Sequence, residues 1–366
     1  MIIEIDKSVI ENLELIDDNE IEALINLASS RARGFNFILG NKTHLLKLSQ
    51  FSEFSRTTRS TFNKAATDQI KWSNLLKNFN FRVRLIKNNV DIFETEEDGV
   101  NILNISLSKF LFYKIDYKPS LIAENLTDIS FYTHVVRSYL KSKNVVSLEL
   151  SFTPVNGGGS TTKDVVIEHF KQQNGISICL LDSDLKIPWG EYGETANDVI
   201  SVLPNQPYAK TMILKSREAE NIIPTKILEQ LSKNNKVFKL KVEKFKSLSS
   251  IVIDNERPIR YVDFKKGIKK YMLNTSCPKT NKFWQDSFEE SNLLKICKTQ
   301  RSCTTSNNCK CLLADGLGTD LLKSTVEFLE NNDFHYSDVD DYMKNEWDFI
   351  CGKISPYVIA PKRFLT

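Results

Sequence analysis

"LIAENLTDISFY", Leu121 to Tyr132, joins one apolar element to another. Leu121 to Glu124 reads as the exit of a buried strand, and the ten or more residues after it read as a helix. Glu124 stands at the strand's exit, and Asp128 lies four positions on, in the helix's first turn. Two carboxylates at such a corner repel each other and lose water, so both disfavour the charged form unless a cation faces them. The chain on either side says what that cation could be.

From Ser120 onward, strands alternate with helical segments. "SLIAE" reads as a strand and "TDISFYTHVVRSYLKSK" as a helix. "VVSLELSFTP" reads as a strand, "NGGGS" as a turn and "TTKDVVIEHFKQQ" as a helix. "ISICLLDSD" is a strand, "TANDVISVL" a helix, "AKTMILKS" a strand and "IPTKILEQLSK" a helix. This alternation predicts an α/β domain with a mainly parallel sheet over residues 116–235. Ligands of such sheets gather outside the carboxyl ends of the strands. Three exits carry acids: Glu124 with Asp128, Asp182 with Asp184 in "LLDSD", and Glu218 with Glu220 in "KSREAEN". Acids two apart at a strand end point to one side. A group of them needs cations, and a hard ion with oxygen ligands, Mg²⁺ or Mn²⁺, suits it. Such an ion can activate water and stabilise the leaving oxygen of a phosphodiester.

A Glu at the end of the first strand, an acid four residues on and Asp-x-Asp at a later strand end resemble a Toprim domain. That is the Rossmann-like catalytic fold of topoisomerases, bacterial primases and certain nucleases. "REAEN" before a helix resembles the OLD-type (overcoming lysogenization defect) branch of Toprim nucleases. The likeness covers roughly residues 118–232. It implies that Glu124 is a metal ligand or general base and that Asp182 and Asp184 are metal ligands. Asp128 and Glu220, with Glu218 as the alternative to Glu220, complete a second metal site. The family usually has Gly after the Glu; here stands Asn125, which tolerates positive φ better than other side chains. The resemblance further implies a hydrolase cutting DNA or RNA, a role in defence against phage or plasmid, and a separate ATPase subunit as partner. A different expectation is a non-catalytic scaffold that binds nucleic acid or that ATPase.

Residues 1–115 read as a separate α+β region, with helices in "DNEIEALINLASS" and "SRTTRSTFNKAATDQIKWSNLLKNF" and strands in "FRVRLIKNNVDIFE" and "NILNISLSKFLFYKI". Its charge is lopsided. Residues 1–30 hold eight acids and one base, whereas residues 31–90 hold twelve Lys or Arg and two acids. Such a basic stretch suits phosphate, and Arg56, Arg59 and Lys64 on one predicted helix are the candidate contacts. Gly157, Gly158 and Gly159 join a strand to a helix, where backbone can approach an anion. The sequence there lacks the Gly-Lys-Ser/Thr of a nucleotide P-loop. Lys265 and Lys266, in the basic run after the α/β domain, are placed to flank the same groove.

Residues 236–366 form a third region, basic and then cysteine-containing. Cys297, Cys303, Cys309 and Cys311 have the thiolates for one structural zinc, but the C-x5-C-x5-C-x-C spacing is not that of the usual knuckles, so free thiols remain the other expectation. Seven cysteines without a basic, apolar leader predict a reducing, cytoplasmic setting. No apolar run approaches the ~20 residues of a membrane span.

Overall fold

The computed structural model describes residues 1–145, 147–172, 175–203, 208–273, 275–293 and 312–364. The first sheet is built from β1 (Ile2–Ile5), β2 (Phe37–Leu39), β3 (Phe81–Ile86), β4 (Ile92–Glu97) and β5 (Val100–Ser106). Helices α1 (Lys7–Glu11), α2 (Asp18–Ala32), α3 (Lys42–Leu48) and α4 (Arg56–Leu76) connect the first three strands. The strand order is β2-β1-β3-β5-β4. Four strands run parallel and only β4 is antiparallel, as a hairpin with β5. The region expected to be α+β is therefore mainly parallel α/β. The reason is β1: "IIEI" is a buried strand, but it lies inside the stretch whose acids dominate a charge reading.

Those acids find partners within the chain. Asp17 Oδ1 accepts from the Glu20 N–H at 2.9 Å, and Glu20 Oε2 accepts from the Asp17 N–H at 3.1 Å. This reciprocal cap starts α2. Glu20 also pairs with Lys87, while Glu4 Oε2 lies 3.0 Å from both Arg82 and Arg84. Part of the charge asymmetry is thus internal pairing between neighbouring strands and a helix end.

The second sheet holds β6 (Ser120–Ala123), β8 (Thr153–Asn156), β9 (Ser177–Leu181) and β10 (Ala209–Ile213), in the order β10-β9-β6-β8 and parallel throughout. Its connections are α5 (Leu126–Ser142), α6 (Thr162–Lys171) and α7 (Glu194–Val202), and α8 (Thr225–Ser232) follows β10. Successive residues of a strand face opposite sides. Ile122, Cys179 and Leu181 accordingly pack with Val166 of α6 and Val199 of α7. Their neighbours Leu121, Ala123, Ile178 and Leu180 enter the main core with α5. Burial on both faces explains why these strands read as unbroken apolar runs. The expected single strand "VVSLELSFTP" is two: β7 (Leu148–Leu150) stands apart from β8.

The third region is α9 (Lys236–Ser249), β11 (Gly267–Lys269), α10 (Pro278–Glu290), β12 (Leu312–Asp315), α11 (Leu321–Asn331), α12 (Asp341–Val358) and β13 (Ile359–Pro361). It returns over the other two. β13 pairs antiparallel with β7. Tyr357 of α12 stacks on Phe81 of β3 at a ring separation of 4.1 Å, and Trp347 packs edge-on against Phe131 of α5. The last helix therefore ties the first sheet to the second. The four cysteines expected to hold zinc lie outside the described residues. Of the others, Cys179 and Cys351 are buried and Cys277 is exposed.

Candidate metal centre

Because β6, β9 and β10 are parallel, their exits share one edge, and Glu124, Asp182 and Glu218 follow them there. β6 is also where the order reverses, since β8 lies on one side of it and β9 on the other. That makes this edge the crevice where parallel sheets bind ligands.

Each corner is locally over-determined. Asn125 starts α5 with φ −138°, an extended conformation, so the turn does not need the positive φ that a Gly would supply. Its N–H donates to Asp128 Oδ2 at 2.9 Å, which places Asp128 in the first turn, 8% exposed. Gly157, Gly158 and Gly159 donate their N–H groups to Ala123 O and Glu124 O, at 2.8, 2.9 and 3.1 Å. The glycine loop thus braces the Glu124 corner with the groups that were expected to meet phosphate. A Cβ at Gly157 would lie 2.8 Å from Ala123 O, so this close approach requires glycine.

The β9 and β10 exits are laced together. Leu214 N–H donates to Leu181 O and Asp184 N–H to Arg217 O, both at 2.9 Å. Ala219 N–H donates to Asp182 Oδ1 at 3.0 Å, and Ser183 Oγ to Ser216 O at 2.8 Å. Asp184 has φ +53°, a left-handed conformation that a non-glycine residue holds only when its surroundings fix it. What fixes it is Gly193, whose N–H donates to Ser183 O at 2.9 Å and whose missing Cβ leaves room for the Asp184 side chain.

The acids interact strongly. Burial, then Asp184 and Asp128, push the Glu124 carboxyl up to about 7. Burial, opposed by Lys265 and reinforced by Glu218, pushes Glu220 to about 7. Asp128 is raised by burial, and Asp182 well above the usual carboxylate range by burial and by Asp128, Glu124, Glu220 and Glu218. Lys265 enters from the third region, with Nζ 3.2 Å from Glu220 Oε1 and 3.6 Å from Glu218 Oε2. Burial opposes its charge, yet Glu220, Glu218 and Asp182 hold it above the ordinary lysine range. Lys265 was expected at the flank of a groove and lies among the acids; Lys266 is exposed beside it. Arg217, which sequence reasoning passed over, bridges Glu218 Oε1 at 3.2 Å and Asp263 Oδ2 at 3.1 Å. The only signal for it was its place in "REAEN".

Three carboxylate oxygens here, Glu124 Oε1, Glu218 Oε2 and Glu220 Oε2, are buried without a hydrogen-bond donor. Buried polar atoms are rarely left so, and orphaned carboxylate oxygens are the donor set a hard divalent cation takes. As positioned, no three acidic, His or Cys side chains among the described residues close around one point as metal ligands. The donors fit Mg²⁺ or Mn²⁺ in kind; Lys265 and Arg217 supply the positive charges beside them.

The other expected contacts stand on α4, which packs against α2, α3 and β2. Arg56 and Arg59 are exposed, whereas Lys64 lies 3.7 Å from Asp68 and over the Phe364 ring. Among the described residues, no helix is long and apolar enough to cross a membrane. Comparison of the chain with family models, with curated proteins and with solved structures returns no match.

Proposed function

We propose that this chain is a divalent-metal-dependent nuclease of the Toprim kind, hydrolysing phosphodiester bonds of DNA or RNA. The observation that carries the reading is the set of orphaned oxygens of Glu124, Glu218 and Glu220 at the carboxyl edge of a parallel sheet. Glu124, Asp182 and Asp184 would hold one ion, and Asp128 with Glu220 or Glu218 a second. Bound there, Mg²⁺ or Mn²⁺ would supply an activated water and a counter-charge for the leaving oxygen. Glu124, raised to about 7 in the metal-free protein, would give up its proton to hold the ion, so metal binding there should strengthen as pH rises through 7. Lys265 holds a fixed positive charge among the acids and reduces their mutual repulsion when no ion is bound.

That lysine also supports a second reading, in which the internal cation replaces the metal and the centre is a scaffold for nucleic acid or a partner ATPase. One experiment separates the two. Purified protein and the Asp182→Asn variant, which keeps an acceptor for the Ala219 N–H, are incubated with plasmid DNA and total tRNA in Mg²⁺, Mn²⁺ or EDTA. The nuclease reading expects cleavage that EDTA and the variant both abolish. Wild-type cleavage by the variant sinks the assignment, and binding without cleavage under every condition favours the scaffold.

A further inference from the structure

A cleft of about 780 Å³ opens directly from the acid centre, between the 184–193 loop and the 263–284 segment. Asp184 and Arg217 form its inner end. Ile187, Met272 and Trp284 give it apolar walls, and Tyr192, 43% exposed, stands at its mouth. The exposed Lys186 and Lys266 sit on its rim. It therefore combines a small apolar part, an aromatic ring open to solvent, exposed cations beside the acids Glu191 and Asp263, and Asp184 of the candidate metal centre.

The volume falls within the ~300–1,000 Å³ of pockets that enclose one small molecule. A base-paired duplex does not enter such a slot; one nucleotide does. Apolar walls and an open tyrosine suit the π-face that every nucleobase presents, and cations at the lip suit the phosphates on either side. We propose that the cleft takes an unpaired nucleobase, so that the substrate class is single-stranded nucleic acid, or a looped-out nucleotide, with its phosphate at the acid centre. This proposal rests on the nuclease reading for its chemistry, but not for its binding. A strand that is already unpaired enters without the unstacking energy that a duplex must supply, and this selects it.

The test is fluorescence anisotropy with a labelled RNA strand, a DNA strand of the same sequence and the matching duplexes, in Ca²⁺, with product checked on a gel. The proteins are wild type, Tyr192→Ala and Lys266→Ala, each verified as folded by circular dichroism. The expected result is that single strands bind at least about tenfold tighter than duplexes. Tyr192→Ala should weaken single-strand binding about tenfold at an unchanged salt slope. Lys266→Ala should lower the log–log salt slope by about one. Tighter binding of RNA than DNA, or the reverse, identifies the sugar and supports the cleft in either case. Equal or tighter duplex binding, or wild-type single-strand affinity in Tyr192→Ala, overturns it. Cleavage in Mn²⁺ is scored separately. Cleavage by wild type with Tyr192→Ala unaffected overturns the cleft and leaves the nuclease, whereas selective binding without cleavage supports the cleft and overturns the nuclease.

Discussion

Glu220→Gln should stabilise the metal-free protein at pH 8 and leave it nearly unchanged at pH 5. Burial, partly offset by Lys265, raises the Glu220 carboxyl to about 7 in the folded state from 4.5. Each unit is 1.36 kcal/mol, so ionising this group within the fold costs about 3 kcal/mol at a pH above both values. The sign follows from proton binding. Between about 4.5 and 7 the folded chain holds a proton that the unfolded chain has lost, so this group's contribution to stability is full below 4.5 and declines as pH rises through 7. Glutamine keeps the shape and removes the charge, but deprives Lys265 of its partner at 3.2 Å. The attraction of Lys265 is already contained in the raised value, so the expected gain at pH 8 stays about 3 kcal/mol, a few degrees in Tm for a chain of this size. At pH 5 the folded carboxyl is already neutral, so little remains to be gained. Differential scanning calorimetry in EDTA at both pH values measures the difference. In saturating Mg²⁺ the order should reverse, because wild type keeps a ligand that the variant has lost. A variant less stable than wild type at pH 8 in EDTA, or equally shifted at both pH values, would refute the electrostatic account.

Gly193→Ala would put a Cβ 2.4 Å from Asp184 Oδ2; we expect a folded protein destabilised by about 1–3 kcal/mol whose Mg²⁺-induced thermal shift is lost, and a retained shift would show that Asp184 is no ligand. Replacing both Arg56 and Arg59 by Ala should lower the log–log salt slope of nucleic-acid binding by about two; an unchanged slope removes α4 from the interface. Glu346 is 2% exposed and accepts from Ser216 N–H at 2.7 Å and from Arg260 Nη2 at 2.8 Å. Glu346→Gln should therefore cost about 3 kcal/mol by urea titration, because it removes the buried charge partner of Arg260 and leaves it only Glu256 at 3.8 Å, and a cost under about 1 kcal/mol would show that the pair is not holding the β10 exit in place.

The second sheet was legible because its central strands β6 and β9 are buried on both faces and its helices keep a clear period. "SLIAE", "ISICLL" and "AKTMI" have no other good reading, and once they are parallel the three acidic exits must share an edge. What eluded the sequence depends on contacts between distant segments. "IIEI" is too short to stand out against eight nearby acids. The glycine run after β8 reads as an anion loop or as a plain flexible turn, and only the partners of its N–H groups show that it braces the Glu124 corner. Lys265 read as a base flanking the groove, because nothing local marks a lysine that will be drawn between Glu218 and Glu220. Gly193 lies nine positions after Asp184, and its role appears only when the loop folds back on that side chain.

The hold of α12 on the loop after β10 has a consequence for synthesis. Ser216 waits for Glu346, 130 positions on, and Ile222 O waits for the Trp347 indole N–H at 3.0 Å. A ribosome adding roughly 5–20 residues per second takes on the order of 10 s to make that stretch. For most of that time the partners of this loop in the β9 exit and around Arg260 exist, and only its tie to α12 is missing. The acid centre thus receives its tie to α12 after all of its own residues have been made. For a protein proposed to cut nucleic acid, that order makes the tie to α12 the last of these fastenings that synthesis can supply.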